Sequence, residues 1–156
     1  MSAATDDFLP EVRGMTLEDI PAVTVIESKS YDFPWYANTF RDCLSSGYHG
    51  VVFERHGILF GYGMLSAAVG EAHLLNLCVA PEMQGKGHGD RMLHVLIDMA
   101  RELGAMQMYL EVRASNNAAK YLYYRAGFNE VGLRKNYYQA KNGREDAVVF
   151  AKELVV

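Results

Sequence analysis

The chain has 156 residues, about one domain's worth, and half of them are apolar while 22% are charged, a composition that excludes a disordered chain. No apolar run approaches the ~20 residues of a membrane span, and the acidic opening MSAATDDFLPEV lacks the apolar core of a secretory signal, so a cytoplasmic protein with no membrane partner is expected. A net charge of −4 argues against nucleic acid as the main ligand and favours a basic partner; the two cysteines, Cys43 and Cys78, lack metal-ligand spacing and read as reduced structural thiols, so no metal is expected.

In chain order, residues 1–7 read as a frayed end, leaving a single domain over 8–156. The stretch MTLEDIPAVTVIESKS carries Thr16 as N-cap, Asp19 three residues on, and Ile20, Val23 and Ile26 at helical spacing. A short helix is expected over Tyr36 to Leu44. GVVFERHGILFGYGMLSAAV has two strand-like halves around His56-Gly57, and AHLLNLCVA is a third apolar run of strand length, so the three predict an antiparallel meander. From Gly89 to Leu103, Met92, Leu93, Leu96, Ile97, Ala100 and Leu103 make the stripe of a long buried helix closed by Gly104. MQMYLEV alternates, with Met106, Met108, Leu110 and Val112 on one face and Gln107, Tyr109 and Glu111 on the other. SNNAAKYLYYRAG predicts a capped helix ending at Gly127, and the remainder two strands about Asn142-Gly143. The sheet is therefore mixed and the fold class α/β.

PEMQGKGHGDRML, Pro81 to Leu93, places three glycines on alternate positions at the start of the long helix. It lacks the Lys-Ser/Thr of a P-loop and the G-x-G-x-x-G spacing of a dinucleotide fingerprint. With no Ser, Thr or Asn in the capping place, the first helical N–H groups lack an obvious side-chain acceptor. A phosphate could serve, on bare amides at the positive end of a helix dipole. A flexible surface turn is the alternative.

The order of strand, QGKGHG, long helix, strand LEVRASN and helix YLYYRAGF resembles the GNAT superfamily of acetyl-coenzyme A dependent N-acetyltransferases. SYDFPW, NLCVAPEMQGKGHG, LEVRASNNAA, LYYRAGFNE and RKNYY with NGREDAVV extend the likeness, over roughly Met15 to Lys152, to its RimI group, bacterial enzymes that acetylate the N-terminal alanine of a ribosomal protein. The resemblance implies a central, mostly antiparallel sheet flanked by helices. It also implies acetyl-coenzyme A as cosubstrate, its pyrophosphate on Gly85, Lys86, Gly87, His88, Gly89 and Asp90 and its pantetheine arm along Leu77, Cys78 and Val79. Many members carry arginine at the positions of Gly85 and Asp90, so here the phosphate would rest more on backbone amides, with Lys86 the nearby cation.

The resemblance further implies Glu111 as general base and Tyr123 as general acid beside the cofactor. Read from the residues alone, Glu111 could equally be a surface carboxylate paired with Arg113, and Tyr123 a core aromatic among Ala119, Leu122 and Ala126. Asn116 matches a coenzyme A contact and, by itself, a helix cap. Phe33 and Trp35, with Tyr137 and Tyr138, resemble segments beside the acceptor groove, and clustered aromatics can also be core. His73, His88 and His94 have no partner that the sequence names. The implied acceptor is the basic N-terminus of a ribosomal protein. Transfer to a small amine or a lysine, or a coenzyme A binding module without catalysis, are the alternatives.

Overall fold

The computed structural model describes residues 10–154; the expected loose N-terminus at 1–7 lies outside them. The elements are β1 (Glu11–Gly14), α1 (Ile20–Ser30), α2 (Ala37–Ser45), β2 (His49–Arg55), β3 (Ile58–Ala68), β4 (Glu71–Val79), α3 (His88–Glu102), β5 (Gln107–Arg113), α4 (Asn117–Arg125), β6 (Asn129–Ala140) and β7 (Gly143–Glu153), with 3-10 turns at Leu17–Asp19 and Pro81–Met83. The strands make a mixed sheet in the order β1-β2-β3-β4-β5-β7-β6. Two compact units divide the described residues: one takes those up to Met64 together with Asn76–His88, the other Leu65–Leu75 and those from Gly89 on.

In the first unit, β1 pairs antiparallel with β2 from Glu11↔Glu54 to Gly14↔Val51. No sequence reading anticipates β1, because all four of its residues are exposed and leave no apolar alternation. Its Arg13 donates to both Asp19 oxygens at 2.8 Å and to Glu54 at 3.1 and 3.2 Å, while the Thr16 N–H donates to Asp19 at 2.8 Å. The Arg13 guanidinium accordingly holds the Asp19 carboxyl below its ordinary range. Helix α1 then buries Ile20, Val23 and Ile26, as its spacing predicts.

Glu27 sits on the same buried face, 2% exposed. A carboxylate there must have its oxygens satisfied, and three donors converge on it: Tyr62 Oη at 2.6 Å, Asn76 Nδ2 at 2.9 Å and the Trp35 N–H at 2.9 Å. One side chain thereby joins α1 to β3, to β4 and to the connection that precedes α2. Phe40 of α2 packs against Trp35 and Tyr62, with ring centroids 5.2 and 5.7 Å apart. Cys43 and Cys78 are both free and buried.

In the second unit, β4 runs parallel to β5 with Glu71↔Gln107 and Leu74↔Leu110 in register, β5 runs antiparallel to β7, and β7 to β6. β5 buries Met108, Leu110 and Val112 and turns Gln107, Tyr109 and Glu111 to the other face. Helix α3 buries Met92, Leu93, Leu96, Ile97 and Ala100, and α4 is capped by Asn116, whose side-chain oxygen accepts from the Ala119 N–H at 3.1 Å. Two expected core positions fall outside the core: Leu103 is 41% and Met106 58% exposed, since each lies past the end of its regular element. The last hairpin also turns one residue earlier than expected. Ala140 pairs with Gly143, leaving Lys141 and Asn142 at the tip, and Gly143 (φ +109°) rather than Asn142 takes the positive φ.

Replacing Glu27 by glutamine is a direct check on the first unit, because all three of its partners are donors and an amide NH2 cannot accept from one of them. Glu27→Gln should lower unfolding free energy by about 1–3 kcal/mol in urea titrations, the cost of one buried unpaired polar group.

Candidate active site

The sequence-predicted residues fall on both units. In the first, the chain leaves β4 through Pro81–Met83 and enters α3 by way of Gly85 (φ +77°) and Gly87 (φ +83°). A side chain is strained at such angles, and a Cβ built on either glycine meets nothing within 4 Å, so the space in front of these amides is open. Lys86 is exposed. His88 is 3% exposed and its ring packs against Phe60 at 4.7 Å. Gly89 and Asp90 form the first turn of α3, where the Asp90 carbonyl accepts from His94 Nδ1 at 2.8 Å. Along β4, the Tyr31 hydroxyl donates to the Leu77 carbonyl at 3.1 Å and the Gln84 amide to the Val79 carbonyl at 3.0 Å. Burial pushes the Cys78 thiol up, away from the thiolate a nucleophile needs. Phe33 and Trp35 are half-buried, Trp35 against Phe40 with its N–H on Glu27.

In the second unit, Glu111 lines a cavity of about 400 Å³ with Ser66, Ala68, Glu71, Ala72, His73, Tyr109, Arg134 and Val149. Its side chain is 9% exposed, and both oxygens are engaged: Oε1 with His73 Nε2 at 2.7 Å and Oε2 with Arg134 Nε at 3.5 Å. Hydrogen bonding to His73 holds the carboxyl below its ordinary range against the opposing effect of burial, and the Arg134 charge assists. Arg113, the partner that the sequence suggested, instead donates to Glu145 at 3.1 Å and to the Gln139 carbonyl at 2.8 Å. His73 and Arg134 are the partners of Glu111 that sequence reasoning missed. The His73↔Tyr109 register that brings His73 beside the Glu111 strand is a tertiary fact with no local signature.

Tyr123 is buried in α4 with its ring 5.8 Å from Phe128 and 6.0 Å from Phe150, and burial pushes its phenol far above the usual range. It therefore stays protonated throughout the working pH range. Tyr138 lies under the Arg113 guanidinium at 4.5 Å and edge-on to Tyr137 at 4.9 Å; burial, then the Glu111 charge, push its hydroxyl up to about 12. These two tyrosines follow a break in the β6–β7 register where Asn136 (φ +53°) hands its N–H to Asp146 at 2.9 Å. Among the described residues no group of three or more His, Cys, Asp or Glu is arranged to hold a metal ion, and no helix is long and apolar enough to cross a membrane.

Because folding lowers the Glu111 pKa, that carboxylate adds stability that is fully present above its unfolded value (~4.3) and lost as pH falls through the folded one. A side-chain carbon NMR titration should find Glu111 ionising below ~4.3, and His73→Leu should move it upward.

The sequence profile of the Acetyltransferase (GNAT) family matches residues 15–128. The Escherichia coli K12 protein named [ribosomal protein bS18]-alanine N-acetyltransferase is 36% identical over 140 residues, 90% of this chain and 95% of that one. Its Haemophilus influenzae namesake is 36% identical over 85% of this chain and 91% of its own. The crystal structure of the Escherichia coli ribosomal-protein-S18-alanine N-acetyltransferase superposes with a TM-score of 0.89 at 34% identity, covering 95% of this chain and 96% of that one. A Salmonella typhimurium protein solved with its cofactor acetyl-CoA shares the fold, with a TM-score of 0.79 at 21% identity and 95% coverage of both chains. Family profile, relatives and fold agree, and the chain belongs to the GNAT family of acetyltransferases.

Proposed function

We propose that residues 8–156 form one cytoplasmic domain that transfers the acetyl group of acetyl-coenzyme A to the N-terminal α-amine of a protein, an alanine at the start of a small-subunit ribosomal protein. The observation that carries this is a carboxylate, Glu111, kept ionised at the wall of a cavity in a chain 36% identical to proteins named for that reaction.

Proton energetics favour the same acceptor. An α-amine with a pKa of ~7.7–8.0 costs about 1 kcal/mol to deprotonate at pH 7, a lysine at ~10.4 nearly 5. One carboxylate base manages the first far more readily. In this reading Glu111 takes the ammonium proton, directly or through a water, so that the nitrogen lone pair attacks the thioester carbonyl. Tyr123 returns a proton to the departing thiolate. Phe33, Trp35, Tyr137 and Tyr138 receive the acceptor segment, and a net charge of −4 suits a basic tail.

Acetyl-coenzyme A, the family's acetyl donor, fits what the chain offers. Open space before Gly85 and Gly87 suits a pyrophosphate on the amides from Gly85 to Asp90, at the start of a 15-residue helix. Lys86 supplies a nearby cation. The backbone of Leu77, Cys78 and Val79 would hold the pantetheine arm as an added strand. Asn116, with its oxygen committed to the α4 cap, has its amide N–H left to offer the cofactor.

Gly87→Val should raise KM for acetyl-coenzyme A with the protein still folded, because a side chain enters the space the phosphate needs. Glu111→Gln and Tyr123→Phe should each lower kcat by ~10²-fold or more while leaving cofactor affinity near wild type, measured by calorimetry. The acceptor is tested with a peptide carrying a free N-terminal alanine and an internal lysine against its N-terminally blocked twin. Acetylation of the free peptide alone, mapped to the α-amine by fragmentation, is the expected result. Equal acetylation of both at the lysine would replace this reading with a lysine or small-amine acetyltransferase.

A further inference from the structure

A carboxylate and a guanidinium stand side by side on the wall of one cavity, Glu111 Oε2 3.5 Å from Arg134 Nε. The guanidinium is held in place from several directions. Arg134 pairs with Ala147 in the β6–β7 ladder, its Nε meets Glu111, and its guanidinium carbon lies 5.6 Å from the centre of the Tyr137 ring. Its side chain is nevertheless 56% exposed, and among the described residues its Nη nitrogens donate no hydrogen bond. Other donors on the same wall are committed: His73 Nε2 to Glu111 Oε1 at 2.7 Å, and the Tyr109 hydroxyl to Gln107. Hydrogen bonding to His73 does most to hold the Glu111 carboxyl down and the Arg134 charge does least, so the guanidinium keeps donor capacity to spare. A guanidinium donates from all its nitrogens and accepts at none, so what it can take from the cavity is an oxygen.

We propose that Arg134 is a specificity residue whose Nη nitrogens donate to the first carbonyl oxygen of the acceptor while Glu111 faces the amine. This rests on the α-amine reading above and deepens it. An N-terminal residue carries its amine and its carbonyl on neighbouring carbons, so a carboxylate beside a guanidinium meets it acceptor to donor and donor to acceptor. The amine of a lysine side chain or of a polyamine has no oxygen in that place, and would leave the guanidinium donors unmatched. Discrimination of this kind is strong, because a site built to hydrogen-bond one group counts against every competitor that lacks it. The guanidinium charge also favours the uncharged form of a neighbouring amine, which is the form that attacks the thioester.

The test compares two peptides that begin with alanine, one normal and one with a trans-alkene in place of its first peptide bond, which deletes the carbonyl oxygen. Each is assayed for kcat/KM with the wild type and with Arg134→Met. The preference for the normal peptide should be ~10-fold or more greater in the wild type than in the variant, expressed mainly in KM, with affinity for acetyl-coenzyme A retained. The alkene twin has the more basic amine, but that change is common to both enzymes and cancels in the cycle. A loss that acts only through Glu111 falls equally on both peptides, so equal preferences in the two enzymes would overturn the proposal. So would a wild type that acetylates both peptides equally well, a result that needs no variant to fold. A wild type that acetylates a lysine or a small amine but neither α-amine would instead strike the acceptor reading, and this proposal with it.

Discussion

A carboxylate withdrawn from water has to be met by donors or cations on every side it presents, and two glutamates impose that constraint on this molecule. Glu27 is met by three neutral donors and no cation, and in satisfying it the first unit fixes α1 against β3, β4 and the backbone at Trp35. Glu111 is met by an imidazole and a guanidinium, and in satisfying it the second unit aligns β4, β5 and β6 around one cavity. The chemical natures of the two environments differ accordingly. Neutral donors fix geometry, whereas the imidazole and guanidinium fix geometry and also hold the carboxyl below its ordinary range.

Tyr123 and Tyr138 show the opposite treatment of a titratable group. Each phenol is raised chiefly by burial, and neither is made a readier acid by its surroundings. Such a phenol keeps its proton across the neutral range. Glu111 is held below its ordinary range, so the second unit combines a negative charge at neutral pH with protonated hydroxyls. That ordering follows from which groups are wrapped in apolar rings and which touch cations.

The glycine loop follows a different logic, because its conformation is set by backbone sterics. Positive φ at Gly85 and Gly87 turns the chain between a 3-10 turn and a 15-residue helix, and the absence of a Cβ leaves the ground before the amides clear. Gly89 is already helical. The approach to α3 is thus shaped by backbone conformation, while Lys86 stands exposed beside it.

Periodicity and punctuation made much of this legible before any coordinates. The alternation in MQMYLEV put Glu111 on the half-polar face of β5, the spacing of Ile20, Val23 and Ile26 found the buried face of α1, and Asn116 and Gly127 bracketed α4. Those signals are local: a strand repeats every two residues and a helix every 3.6, so the residues that fold together are close in sequence. β1 escaped because an exposed four-residue edge strand has no alternation to show, and the last hairpin turned a residue early because Gly143, not Asn142, accepts the positive φ. What the tertiary structure alone decided is which charges meet. His73 is 38 residues from Glu111 and Arg134 is 23 beyond it, while Arg113, two residues away on the same strand, serves Glu145 instead. Strand order and register select those partners through the packing of whole faces, and no short window of sequence encodes that choice.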